Sequence, residues 1–159
     1  LYYNSHNTSR PDPDKNVFNR YTSNYLEDSN EPLYPFGYGL SYTHFQYDNM
    51  VLSSNVLKKG EKLTVSVIVT NKGNYDGCEV VQLYLHDIYA DVVRPVKELK
   101  DFKRIFLKKG ESREVRFVIT EEDLKFYNSN LQYIYETGDF EVMVGTNSRD
   151  VQSKTFFAE

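Results

Sequence analysis

The sequence predicts an all-β protein, an antiparallel β-sandwich of about seven strands behind an irregular N-terminal arm. Short segments in which apolar and polar residues alternate recur from Phe45 to the end of the chain. Clusters of Gly, Asn, Asp and Ser separate them, and no helix-length periodic segment lies between any two, which disfavours a parallel α/β sheet. We place the boundary at residues 44 and 45, with an arm and connector over 1–44 and the sandwich over 45–159.

The 159 residues suffice for a core without disulfide staples, and 40% apolar and 26% charged residues are ordinary for a soluble globular protein. A net charge of -4 argues against a nucleic-acid partner, because phosphate neutralisation needs a basic surface. No apolar run approaches the length that spans a bilayer, so no membrane partner is expected. The chain opens at Leu1 without Met and reads as a fragment or a processed product.

In the arm, residues 1–30 are rich in Asn, Ser, Tyr, Asp and Pro and show no sustained period. Its tyrosines suggest that it lies on another surface, and Asn7-Thr8-Ser9 matches a glycosylation sequon. From Pro32 to Thr43, two prolines and two glycines are interleaved with Leu33, Tyr34, Phe36, Tyr38, Leu40 and Tyr42. Such a stretch suits neither a helix nor a paired strand. It reads as an ordered connector whose rings press against a neighbouring surface.

Phe45, Tyr47 and Val51 begin the first alternation, and Leu63, Val65, Val67 and Val69 form the next. A turn over 71–77 leads to a strand with Val81, Leu83 and Leu85 on one face and Gln82, Tyr84 and His86 on a more polar one. A loop over 88–95 follows, then Leu99, Phe102, Ile105 and Leu107 as apolar anchors between lysines. Lys58-Lys59-Gly60-Glu61 recurs as Lys108-Lys109-Gly110-Glu111; the flanks do not repeat, so each is read as a turn with positive φ at Gly, not as a repeat unit. Val115, Phe117 and Ile119 form a further strand. Thr120 and Asp123 fit a capping box that opens a single helical turn. Alternation over 131–135, over Phe140, Val142 and Val144, and over 151–157 completes the series.

No catalytic, cofactor-binding or metal-binding residue is assigned. Glycoside hydrolysis requires two facing carboxylates; Glu121, Glu122 and Asp123 are taken by the capping turn, while Asp87 and Asp91 read as loop residues without an identifiable partner. Cys78 is the only cysteine and reads as a buried thiol, and His6, His44 and His86 are too scattered for a metal site. His86 reads as a surface imidazole.

The residues 33–43, Leu-Tyr-Pro-Phe-Gly-Tyr-Gly-Leu-Ser-Tyr-Thr, closely resemble the segment that precedes the fibronectin type III-like domain of family 3 glycoside hydrolases, the β-glucosidase and β-xylosidase family. The likeness continues through 71–77, Glu79 to Tyr84, Arg94 to Lys100, Gly110-Glu111, Gly138-Asp139-Phe140 and Val144-Gly145. Upstream it includes Tyr2-Tyr3-Asn4, Arg10-Pro11 and Arg20 to Ser23. Asp101 and Lys109 depart from the family's usual Gly and Pro.

This resemblance implies an immunoglobulin/fibronectin III-like sandwich at the C-terminal end of a retaining β-glucosidase of periplasmic or secreted type. In that family the catalytic Asp and the acid/base lie in preceding domains, so neither carries over to a residue here and the chain alone is expected to be inactive. The missing catalytic domains are its expected partners, with a structural, docking role. Carbohydrate or polymer binding is the alternative, for which 14 tyrosines speak and the absence of Trp speaks against.

Overall fold

The computed structural model describes residues 32–159; the expectations for the arm and for the sequon at Asn7 lie outside the described residues. Seven strands of eight residues or more carry the fold: β1 (Phe45–Leu52), β3 (Leu63–Asn71), β4 (Gly77–Asp87), β5 (Glu98–Leu107), β6 (Ser112–Ile119), β9 (Gly138–Gly145) and β10 (Val151–Ala158). Three two-residue strands supplement them: β2 (Val56–Leu57), β7 (Phe126–Tyr127) and β8 (Tyr133–Ile134).

One sheet has the order β1-β3-β6 and the other β2-β10-β9-β4-β5; β7 and β8 make a small separate hairpin. All pairings are antiparallel except that of β2 with β10. Period-two alternation sends Leu63, Val65, Val67 and Val69 of β3 and Val115, Phe117 and Ile119 of β6 into the core from one side. Val81, Leu83 and Leu85 of β4, Phe140, Val142 and Val144 of β9, and Phe156 of β10 meet them from the other. Phe140 and Phe156, direct cross-strand partners, stack at 5.7 Å.

The two Lys-Lys-Gly-Glu turns are built alike. Gly60 has φ 78° and Gly110 φ 77°, and the amides of Glu61 and Glu111 each donate to the carbonyl three residues back, at 2.9 Å. A side chain would resist that φ, so glycine fixes both turns. Helix α1 (Glu121–Leu124) is the expected single turn, with the Thr120 amide donating to the Asp123 carboxylate at 2.8 Å.

Four expectations are corrected. Gln82 and Tyr84, assigned to a polar face of β4, are 5% and 0% exposed, because the connector and the segment after β9 cover that face. Phe102, expected as an apolar anchor, is 61% exposed: it shares a face with Gln82, its cross-strand partner, and points away from the core. Cys78, expected to be buried, is partly exposed on that same outer face. Asp87 is not a solvated loop residue but the buried end of β4, and its partner is Arg94.

Candidate functional site

The connector is held by its backbone. Pro35 to Tyr38 form a turn in which the Tyr38 amide donates to the Pro35 carbonyl at 3.0 Å and Gly37 adopts φ 79°. The Gln82 amide donates to the Gly37 carbonyl at 3.1 Å and to the Thr146 carbonyl at 2.6 Å, and the Ser148 amide donates to the Phe36 carbonyl at 2.8 Å. A Cβ on Gly37 would sit 2.0 Å from Gln82 Oε1, so close approach and backbone conformation both demand glycine. The connector's side chains are another matter. Tyr34, Leu40 and Tyr42 are 67, 91 and 97% exposed, so the rings of Tyr34 and Tyr42, expected against a neighbouring surface, are largely open in this chain, whereas Phe36 and Tyr38 are more than half covered.

At its C-terminal end the strap is tied to Asn71, a fully buried side chain with four hydrogen bonds. Asn71 Oδ1 accepts from the Thr43 hydroxyl at 2.6 Å and the Gly73 amide at 3.1 Å, and Nδ2 donates to the carbonyls of Tyr75 at 2.8 Å and Leu107 at 3.1 Å. One amide group therefore joins the connector, the turn after β3 and the end of β5. An Asn followed by Lys72-Gly73 signals a turn in the sequence, but nothing there marks this wider role.

Beside the strap lies an open cleft of about 510 Å³, lined among others by Tyr38, His44, Tyr47, Glu79, Asn147 and Gln152. Tyr47 comes from β1 and Glu79 from β4, so the hydrogen bond from the Tyr47 hydroxyl to Glu79 Oε1, 2.7 Å, crosses from one sheet to the other. Burial lifts the Tyr47 hydroxyl far above the ordinary tyrosine range, and the Glu79 carboxylate adds to the effect. Burial also raises Glu79, against the opposing pull of hydrogen bonds from Tyr47 and Thr146 and of the nearby His44. Gln152 Nε2 donates to the Tyr47 carbonyl at 2.6 Å and fixes the same wall. The cleft offers rings and hydrogen-bonding groups. Its two acids are each held by a neighbour: Glu79 accepts from the Tyr47 hydroxyl, and Asp150, at the rim, accepts from Asn147 Nδ2 at 2.8 Å.

The remaining candidates serve structure. Arg94 donates to Asp87 and Glu98 at 2.9 Å each, to the Leu124 carbonyl at 3.3 Å, and lies 4.7 Å over the Phe126 ring. Burial raises the Asp87 carboxyl while Arg94 counters it. Asp91 accepts from the Ser129 hydroxyl at 3.1 Å. His86 faces Glu141 at 3.8 Å on the outer side of the sheet, and its side chain is 28% exposed. Among the described residues no group of three or more His, Cys, Asp or Glu side chains is arranged to hold a metal ion.

Strand order, register and core together define a fibronectin type III-like β-sandwich, and residues 79–148 match the family described as fibronectin type III-like domain. The chain is 47% identical over 98% of its length to a periplasmic β-glucosidase of Salmonella typhimurium, of which it covers 20%. It is 44% identical over 86% of its length to a putative β-xylosidase of Formosa agariphila, covering 18% of that protein. A β-glucosidase of Listeria innocua, solved in complex with laminaribiose, superposes with TM-score 0.89 and 43% identity over 100% of this chain and 22% of its own. The chain thus spans about a fifth of the length of the relatives it matches. It corresponds to the C-terminal part of these family 3 glycoside hydrolases, the part that carries the fibronectin type III-like domain.

Proposed function

We propose that this chain is the non-catalytic structural module of a retaining β-glucosidase, one that hydrolyses terminal β-D-glucosidic bonds with residues of its preceding domains. The module docks on those domains and stabilises their arrangement. The observation that carries the reading is the strap: Gln82 and Ser148 hold its backbone and Asn71 holds its Thr43 hydroxyl, yet the rings of Tyr34 and Tyr42 are mostly exposed. Burying one such ring contributes roughly 1.5–3 kcal/mol. Because the strap's backbone is already ordered here, covering its rings does not have to offset the chain entropy that a free linker would lose.

In the whole enzyme, Phe36→Ala and Tyr38→Ala should each lower the melting temperature; unchanged melting would remove the docking role. The chain alone should release no nitrophenol from an aryl β-glucoside above a blank, since no catalytic residue is assigned to it. The name of the Salmonella relative supports a periplasmic or secreted parent. Among the described residues no helix is long and apolar enough to cross a membrane.

The cleft favours a second reading, an accessory site for carbohydrate, because Tyr38 and Tyr47 stand there beside Glu79, Asn147 and Gln152. Affinity electrophoresis of the chain in gels containing soluble glucans separates the two: clear retardation supports binding, and unaltered mobility leaves docking.

A further inference from the structure

On the outer face of the five-stranded sheet, the β4–β5 register pairs Cys78 with Phe106, Val80 with Arg104 and Gln82 with Phe102. Directly paired residues of an antiparallel ladder share a face. Val80, Phe102 and Phe106 are 39, 61 and 50% exposed, and β5 is the edge of its sheet. Arg104 lies between the two phenylalanines along β5 with no carboxylate of the described residues in ion-pair range. The outward side of β6 shows what a solvated face of this sandwich looks like, with Glu114 and Arg116 paired at 2.7 Å. The β4–β5 face instead presents two rings, an aliphatic side chain and an arginine, the composition of an interface centre.

We propose that this face, Val80 with Phe102, Arg104 and Phe106, is the surface on which the preceding catalytic domain lands, and that the domain meets it with apolar groups around a carboxylate opposite Arg104. The occupant follows from the strap. Gln82 belongs to this same face and holds the Gly37 carbonyl, so the connector approaches the sandwich over this surface. The relatives, about five times longer, supply the body to cover it. The inference rests on the docking role and specifies where docking occurs.

The test compares the chain alone with the whole enzyme that contains it. Phe102→Ser with Phe106→Ser, and separately Arg104→Glu, should leave the melting temperature of the chain alone within a degree or so, since the side chains are exposed. In the whole enzyme each should lower it by roughly 3 °C or more, the arginine variant more strongly at low salt. Should Phe36→Ala and Tyr38→Ala lower melting of the whole enzyme while these variants leave it unchanged, docking stands and this surface is wrong. If no variant of either set shifts it, both readings fall. Sedimentation of the chain alone provides a further check: a concentration-dependent dimer abolished by the Phe102 and Phe106 substitutions would identify a second copy as the occupant and overturn the proposal.

Discussion

The Tyr47 hydroxyl donates to the Glu79 carboxylate at 2.7 Å across the gap between the two sheets. Tyr47→Phe leaves that buried carboxylate with Thr146 as its remaining donor and should cost about 1.5–3 kcal/mol in urea unfolding at neutral pH. Glu79 also sets a pH dependence. Its carboxyl is raised in the folded state, so as pH climbs from the ordinary glutamate value to the raised one, the folded chain keeps a proton that the unfolded chain has released. Stability falls across that window and is level in this respect below it and above it. The Glu79→Gln variant lacks this decline, and the difference between the two pH profiles measures it.

Asn71 makes four side-chain hydrogen bonds from a fully buried position. Asn71→Ala strands two carbonyls, a hydroxyl and an amide, and should cost about 3 kcal/mol or more in thermal unfolding. The same substitution should speed amide exchange at Gly73, whose hydrogen bond it removes.

Gly37→Ala places a Cβ 2.0 Å from Gln82 Oε1 at φ 79°. The strap should lift, with faster hydrogen exchange at the Ser148 and Tyr38 amides and little change at the core amides of β3. Gln82→Ala, which deletes the two bonds to Gly37 and Thr146, should show the same faster exchange at those amides, with a loss of overall stability besides because the buried Tyr84 hydroxyl loses its acceptor.

Arg94→Met leaves Asp87, whose side chain is 3% exposed, without its counter-charge. A loss of about 3–5 kcal/mol is expected, and adding Asp87→Asn should recover part of it because the stranded charge is gone. Equilibrium unfolding of the two single variants and the double variant checks this. A double variant no more stable than Arg94→Met alone would show that the stranded Asp87 charge is not what the arginine substitution costs.

Strands and turns were legible because the signals that set them are local. Alternation of Leu63, Val65, Val67 and Val69 places one face inside, and Gly60 and Gly110 mark positive φ wherever they stand. What escaped depends on residues distant in sequence. Gln82 and Tyr84 look like a polar face until a strap from 45 residues earlier, counted from Gly37, is laid over them. Asp87 looks solvated until the following loop brings Arg94 back, and Phe102 looks buried because an irregular apolar spacing hides which side of β5 each residue takes. The cleft was illegible for the same reason, since Tyr47 and Glu79 belong to different sheets and meet only on folding.

Cys78 is the chain's only cysteine, and it lies on the outer face of β4, cross-strand from Phe106 and partly exposed. A thiol so placed reacts with a maleimide at a rate set by its access to reagent. Free of neighbours it is open to labelling; covered, it is shielded. The fold therefore carries its own chemical gauge of whether that side of the sandwich is occupied, without any substitution at all.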